Sequence, residues 1–153
     1  MSQARPVLRP ARDADREFLF ALHRAAMRDA IERTWGIWDE PWQRAYFEAR
    51  FDPKAISVIT LDGADVGVLW VERRPAELYI AEIEVAPEFQ GRGVGTAVLA
   101  DVLARARAEA LPVTLQVLQA NAGAGRLYER LGFRVTGEAY PHVLMRHEGN
   151  ARA

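Results

Sequence analysis

No cysteine occurs among the 153 residues, which removes disulfides, thiolate metal sites and cysteine nucleophiles together. Lysine is almost as scarce. Lys54 stands alone and far from the glycines, so the chain contains no Gly-Lys-Ser/Thr phosphate loop, and arginine carries nearly all the positive charge. The three histidines, His23, His142 and His147, are too scattered to spell a metal motif, and no metal is expected. No apolar run approaches the ~20 residues of a bilayer-spanning helix, and a net charge of −1 leaves no basic footprint for nucleic acid. Neither membrane nor nucleic acid is therefore expected as a partner. Met1 to Pro10 lack a hydrophobic signal core, which makes a cytoplasmic location the default. There is no internal repeat, low-complexity segment or linker. With half its residues hydrophobic, the chain is expected to form one domain, 1–153, burying about two-thirds of its unfolded surface.

What is present falls into an alternating order. Val7-Leu8-Arg9 reads as a short strand, and Asp13 as the cap of a helix whose apolar stripe is Phe18, Leu19, Leu22, Ala26 and Ala30. A connector holding three tryptophans, Thr34 to Trp42, leads into a second helix striped by Trp42, Ala45, Tyr46 and Ala49. Ile56 to Leu61 and Val66 to Val71 read as strands joined by an Asp62-Gly63 hairpin, and a third antiparallel strand runs from Leu78 to Val85. Val98, Leu99, Val102, Leu103 and Ala106 stripe the next helix. Pro112 then breaks the chain before a strand alternating at Val113, Leu115 and Val117. Asn121 is expected to cap a further helix that Gly132 ends, and strands near Phe133–Thr136 and His142–Arg146 close the chain.

Between the third strand and its helix stands Gln90-Gly91-Arg92-Gly93-Val94-Gly95-Thr96. Alternating glycines let the backbone turn tightly and aim successive N–H groups at one point, where the helix start adds its positive dipole end. An anionic diphosphate fits such a loop. A dinucleotide fingerprint does not describe it, because the sixth residue counted from Gly91 is Thr96 and from Gly93 is Val98, where glycine is required. A plain strand-to-helix turn is the simpler alternative, and the flanking residues argue against it. The preceding strand breaks its own alternation: Leu78 and Ile80 are apolar on even numbers, Ile83 and Val85 on odd ones. One extra residue, a bulge around Ala81-Glu82, restores a single apolar face and turns Tyr79, Glu82 and Glu84 to the other side.

Gln90-Gly91-Arg92-Gly93-Val94-Gly95 matches the Gln/Arg-x-x-Gly-x-Gly/Ala signature of the GNAT superfamily of acyl-CoA-dependent N-acetyltransferases. Ile83-Glu84-Val85-Ala86-Pro87 before it, and Asn121, Leu127-Tyr128 and Leu131-Gly132-Phe133 after it, resemble the same family at the expected distances. The resemblance covers residues 78 to 134. It implies an α/β (α+β) fold with a mixed, mostly antiparallel central sheet, a splayed parallel strand pair and flanking helices. It also implies acetyl-CoA as cofactor, held by Ile83, Glu84 and Val85 on the splayed strand, by Gln90, Gly91, Arg92, Gly93, Val94, Gly95 and Thr96 in the loop, and by Asn121, Ala124 and Tyr128 beyond it. Catalysis falls to Glu82 or Glu84 as base, a backbone N–H near Val85 facing the oxyanion, and Tyr128 as acid. Alternating glutamates on a solvated face, and a tyrosine that merely packs, are the structural alternatives. Gln116 departs from the pattern, for some members that acetylate protein N-termini carry a glutamate base there. That directs the search to Glu82 and Glu84, and away from a protein N-terminus as acceptor.

The acceptor end is written less plainly. Trp35, Trp38, Trp42 and Tyr46, with Glu32, Asp39 and Glu40 among them, occupy the connector that the resembling family uses to wall its acceptor pocket, and aromatics with carboxylates suit an amine cation. Tyr140 and His142 enter a late strand expected to line the same cleft, a structural role being the alternative for a lone histidine; core packing is the alternative for the aromatics and helix capping for Asp39, and His23 and His147 read as structural. The expected function is transfer of acetyl from acetyl-CoA to a primary amine of a small molecule or peptide, by direct attack in a ternary complex. The alternative is a non-catalytic acyl-CoA-binding sensor or assembly subunit. A monomer and a homodimer built on the last strands both fit the sequence.

Overall fold

Short runs of β-branched residues between tight turns build a seven-stranded sheet, and amphipathic segments lay helices on both of its faces. The computed structural model describes residues 4–149; the two ends of the expected 1–153 domain lie outside the described residues. In chain order the elements are β1 (Val7–Pro10), α1 (Arg16–Trp35), α2 (Glu40–Arg50), β2 (Ile56–Leu61), β3 (Ala64–Arg74), β4 (Glu77–Val85), α3 (Val94–Ala108), β5 (Val113–Leu118), α4 (Ala122–Arg130), β6 (Arg134–Ala139) and β7 (His142–His147). The strands order as β1-β2-β3-β4-β5-β7-β6, antiparallel throughout except between β4 and β5. This is the mixed sheet with one parallel pair that the sequence implied. The Asp62-Gly63 hairpin holds, with φ of 52° and 82°, both positive as a two-residue turn of this hand requires.

The helices split between the faces. Val98, Leu99, Val102, Leu103 and Ala106 of α3 pack with Leu78, Ile80, Val113, Leu115 and Val117 on one face, while Leu19 and Leu22 of α1 meet Ile56, Val58, Val68 and Trp70 on the other. Burial of this apolar area is the main favourable term in the fold.

Two expectations fail at the N-terminal side. Helix α1 starts at Arg16, after a 3-10 turn over Asp13–Asp15, and neither aspartate side chain caps it. The Asp15 carboxylate is held by both Arg9 guanidinium nitrogens at 2.9 Å and by the Arg12 N–H at 2.7 Å, and a bidentate, charge-assisted pair outcompetes a cap. The stripe of α2 is also wrong. Trp42, Ala45, Tyr46 and Ala49 are exposed, and Gln43 is the buried residue, because Gln43, Phe47 and Arg50 face the sheet. Asp39 does cap α2, accepting the Trp42 N–H at 3.0 Å.

The strand β4 carries the feature that opens the site. Trp70 pairs with Glu82 but Val71 pairs with Ile80, so Ala81 is the extra residue of a bulge, where the broken alternation put it. Past the bulge, β4 parts from β5: the parallel register runs Leu78↔Val113, Tyr79↔Thr114, Ile80↔Leu115 and stops. Ile83 and Val85 pack on the α3 side, and Glu82 and Glu84 turn to the α1 side.

Candidate functional site

Where β4 and β5 diverge, a cavity of about 480 Å³ opens on the α1–α2 side of the sheet. His23, Glu82, Glu84, Gln116, Asn121, Tyr128 and His142 contribute its polar lining, and Trp35, Trp42, Tyr46 and Trp70 its aromatic wall.

At its floor three ionisable side chains meet. Glu82 and Glu84 are two apart on one strand and therefore share a face, and α1 lowers His23 onto them. The His23 Nδ1 lies 2.7 Å from Glu84 Oε2 and 3.6 Å from Glu82 Oε2. Glu84 is nearly inaccessible. Burial, with the neighbouring Glu82 carboxylate, pushes the Glu84 carboxyl up to about 8 despite the pull of His23. Burial acts to raise Glu82 too, but bonding with His23 and Glu84 outweighs it and holds Glu82 below the ordinary carboxylate range. Burial alone would lower His23; the two carboxylates overcome it and push the imidazole up to about 11. Near neutrality the cluster thus holds a proton on the imidazole and one on the Glu82–Glu84 pair, which gives up its next proton close to pH 8.

His23 was read from the sequence as structural; the structure places it in direct contact with Glu84 and close to Glu82. Its signal was present: it stands four residues after Leu19 and four before Met27, on the inward face of α1, and a histidine there needs a polar partner. The three ligand atoms lie within 4.8 Å of one another, a triad that scattered histidines did not announce. The direct His23–Glu84 bond joins it to that cluster.

Tyr128, on α4, lines the cavity with its ring packed 5.7 Å from Phe133. Among the described residues its hydroxyl has no hydrogen-bond partner. Burial and the Glu82 and Glu84 charges push its pKa well above the ordinary tyrosine value, so the phenol keeps its proton. Asn121 lines the cavity at the start of α4, but its side chain does not cap the helix; the amide contacts the Met27 sulfur at 3.9 Å, and the backbone N–H donates to the Leu118 carbonyl at 2.8 Å.

On the far side of the gap the glycine loop leads into α3. Gly91 and Gly93 have φ of 78° and 79°, the left-handed region that favours glycine, and a side chain there would meet nothing within 4 Å. Gly95 has ordinary backbone; a Cβ would sit 3.8 Å from Leu127. The Gln90 N–H is taken by the Pro87 carbonyl at 3.2 Å and its side-chain amide donates to the Val85 carbonyl at 2.9 Å, so Gln90 shapes the loop. The N–H groups of Gly91 through Thr96 donate to no acceptor among the described residues. That open set, at the N-terminus of a 15-residue helix, fits a pyrophosphate. Val94 is anchored in the core, Arg92 lies over the Phe89 ring at 5.1 Å, and Ala124 packs against the α3-side core.

Of the expected acceptor residues, Trp35 and His142 line the cavity, and Trp38 and Glu32 do not. Trp38 is buried beneath it, 5.7 Å from the His23 ring, with its indole N–H donating to Glu40 at 2.7 Å. Glu32 pairs with Arg28 on the outer face of α1. Sequence reasoning missed Gln43 and Arg50, which α2 brings to the cavity.

A sheet opened between parallel strands, with a loop of unpaired N–H groups at a helix start on one side of the gap and the His23–Glu82–Glu84 cluster on the other, has the layout of an acyltransferase-type domain. The model of the acetyltransferase (GNAT) family matches residues 16–133, and the chain belongs to that family of acetyl-CoA-dependent transferases. A mycothiol acetyltransferase of Streptomyces griseus is 38% identical over 99 residues, 61% of this chain and 29% of that protein. The chain spans less than half the length of the mycothiol acetyltransferases it matches. An L-methionine sulfoximine/L-methionine sulfone acetyltransferase of Pseudomonas aeruginosa is 31% identical over 127 residues, 74% of each chain. Among solved structures, the PaiA N-acetyltransferase of Thermoplasma acidophilum, in complex with coenzyme A, shares the fold with a TM-score of 0.74 at 15% identity, covering 97% of this chain and 99% of that one. No helix among the described residues is long and apolar enough to cross a membrane.

Proposed function

We propose that this protein transfers the acetyl group of acetyl-CoA to a primary amine of a small molecule, and that the His23–Glu84–Glu82 cluster removes the amine's proton. The single observation that carries this reading is Glu84: a buried carboxyl, tuned close to neutral pH, on the bulged strand where the sheet opens. Acetyl-CoA, when bound, supplies an acetyl thioester whose carbonyl carbon forms the new C–N bond as its C–S bond breaks. Gly91 through Thr96 offer the N–H groups for its pyrophosphate, and β4 past Ile80 offers backbone that β5 no longer pairs.

The chain's own residues then have distinct tasks. An amine enters as an ammonium and must lose a proton before it can attack. The Glu84 carboxylate accepts that proton at a carboxyl oxygen, directly or through one water, and passes the cluster from its charged to its neutral form. His23 holds its own proton throughout and fixes the orientation of Glu84. Tyr128 keeps a proton on its hydroxyl, ready for a group that gains negative charge. The backbone N–H near Val85 stabilises developing negative charge without reorganising. His142 and Gln116 face the cavity as polar groups that orient the acceptor.

Release of free CoA, followed across a panel of amines, tests the reading. Amine-dependent release with a matching acetylated product supports it; acetyl-CoA binding without release from any amine would make this a binding domain.

A further inference from the structure

We infer that the acceptor amine also carries a carboxylate, and that Arg50, assisted by Gln43, holds it. The inference rests on the transferase reading above and narrows its substrate class.

Arg50 ends α2 with its guanidinium between two rings, 4.9 Å over Tyr46 and 4.8 Å over Trp70. It lines the cavity, and among the described residues it has no hydrogen bond and no ion pair. Its neighbours on the same side of the molecule behave otherwise: Arg44 pairs with Glu17 and Arg16 with Asp13 and Glu48. A guanidinium stacked between aromatic faces keeps its edge, where all five N–H donors lie, free for a planar oxyanion. Gln43 stands seven residues earlier, two turns along the same face of α2. It is only 8% exposed, it lines the same cavity, and its amide has no partner among the described residues. Arg50, half-buried, and Gln43 thus turn unpartnered polar groups into the cavity, where one oxyanion can pair with both in place of water.

The position relative to the acid cluster completes the argument. Trp70, under Arg50, is the cross-strand partner of Glu82. The cavity therefore presents a cation and an amide beside a pair of carboxyl groups, with Trp42 stacked on Tyr46 at 5.0 Å along its mouth. A molecule bearing an ammonium and a carboxylate, with an apolar remainder, matches every part of this arrangement. A simple amine leaves Arg50 and Gln43 unpaired. The carboxylate belongs either to a free amino acid or to the C-terminus of a short peptide.

The test measures kcat/KM for matched series: L-phenylalanine, L-methionine and L-leucine, their decarboxylated amines, their carboxamides, and dipeptides built from them. The parent is expected to favour the amino acids over the amines and carboxamides by about 10–100-fold, the worth of one charged hydrogen-bonded contact. Arg50→Gln should bring that ratio close to one, Arg50→Lys should keep part of it, and Gln43→Leu should reduce it. Dipeptides outrunning amino acids would keep the carboxylate site and assign it to a peptide terminus. A parent that acetylates acids and amines alike would overturn the inference. So would an Arg50→Gln protein that loses activity equally on both, since Arg50 would then act only through its field on Glu82. If no amine releases CoA, the transferase reading fails instead. The subsite is then judged by tryptophan fluorescence titrated with N-acetyl-L-phenylalanine and its amide: binding confined to the acid and lost in Arg50→Gln sustains it, and indifference to the carboxylate refutes it.

Discussion

Single side chains set the chemistry here through their surroundings. Tyr128 retains its proton because burial and two nearby carboxyls oppose the phenolate, so removing the hydroxyl while keeping the ring isolates the proton. Tyr128→Phe should lower kcat by about 10²–10⁴-fold at nearly constant acetyl-CoA affinity. Steady-state kinetics beside calorimetry separates the two, and a variant within a few-fold of the parent would leave Tyr128 a packing residue. Glu84 gives a second prediction. A base must be deprotonated, and this one titrates near 8, so kcat/KM should rise with pH through that region and level off above it. Glu84→Gln should remove most of the activity, while Glu82→Gln, by deleting the neighbouring charge that helps raise Glu84, should move the limb to lower pH. If both variants keep the parent's profile, the base lies elsewhere in the cavity.

The elements matter for what they leave open. The bulge at Ala81 bends β4 away from β5, and the gap would close if the ladder continued past Ile80. Gly67 on the neighbouring β3 supports the same region from the side: a Cβ there would approach the Glu84 carbonyl oxygen to 2.5 Å, so a side chain at this position would push β4 away. Across the gap, the loop before α3 depends on left-handed backbone at Gly91 and Gly93. Gly93→Val, a β-branched residue forced to a φ near 79°, should abolish acetyl-CoA binding while α3 stays packed through Val98, Leu99 and Val102. Calorimetric titration of the folded variant checks this, and unchanged affinity would rule out the loop as the anion grip. Gly95, whose backbone is ordinary, should tolerate alanine better than Gly93 does.

For the whole molecule, the cluster proposed as the base also links folding to pH. His23 has its folded pKa near 11 against an ordinary 6.5, so the stability it contributes is fully present below about 6.5 and is lost as pH rises toward 11. Glu84 acts in the same direction between 4.5 and about 8, because the folded state keeps a proton that the unfolded chain gives up. Asp15 works oppositely: Arg9 lowers its pKa, and its contribution, present above 3.8, is lost on acidification. Denaturation midpoints should therefore fall from pH 6 through 8 to 10. His23→Gln should flatten that slope and lower stability at pH 6 by on the order of 1–3 kcal/mol, the usual cost of a buried group left without its partner. An unchanged slope in the variant would mean that the cluster is hydrated rather than coupled.

Local chemistry decided much of this before any tertiary contact was known. The strand order in the chain, the Asp62-Gly63 hairpin, the extra residue in β4 and the glycine loop all follow from period, turn preference and the backbone freedom of glycine, which act over a few neighbouring residues. Tyr128, Glu82 and Glu84 were legible for the same reason, since they sit within or beside those local patterns. The partners of these residues were not. Whether His23 touches a carboxylate depends on where α1 crosses β4, 61 residues away, and whether Trp38 faces the cavity or lies beneath it depends on how the connector packs on Phe20. The inward face of α2 was misread because the exposed Trp42 and Tyr46 border an open cavity while Gln43 and Arg50 turn toward the sheet beside Phe47, a choice hydrophobicity alone does not prescribe. Periodicity reports which face of an element is apolar; only packing decides whether that face meets the core or a space kept for a ligand. The pKa values belong to the tertiary structure entirely, because burial and the distance between charges on different elements have no counterpart in the sequence.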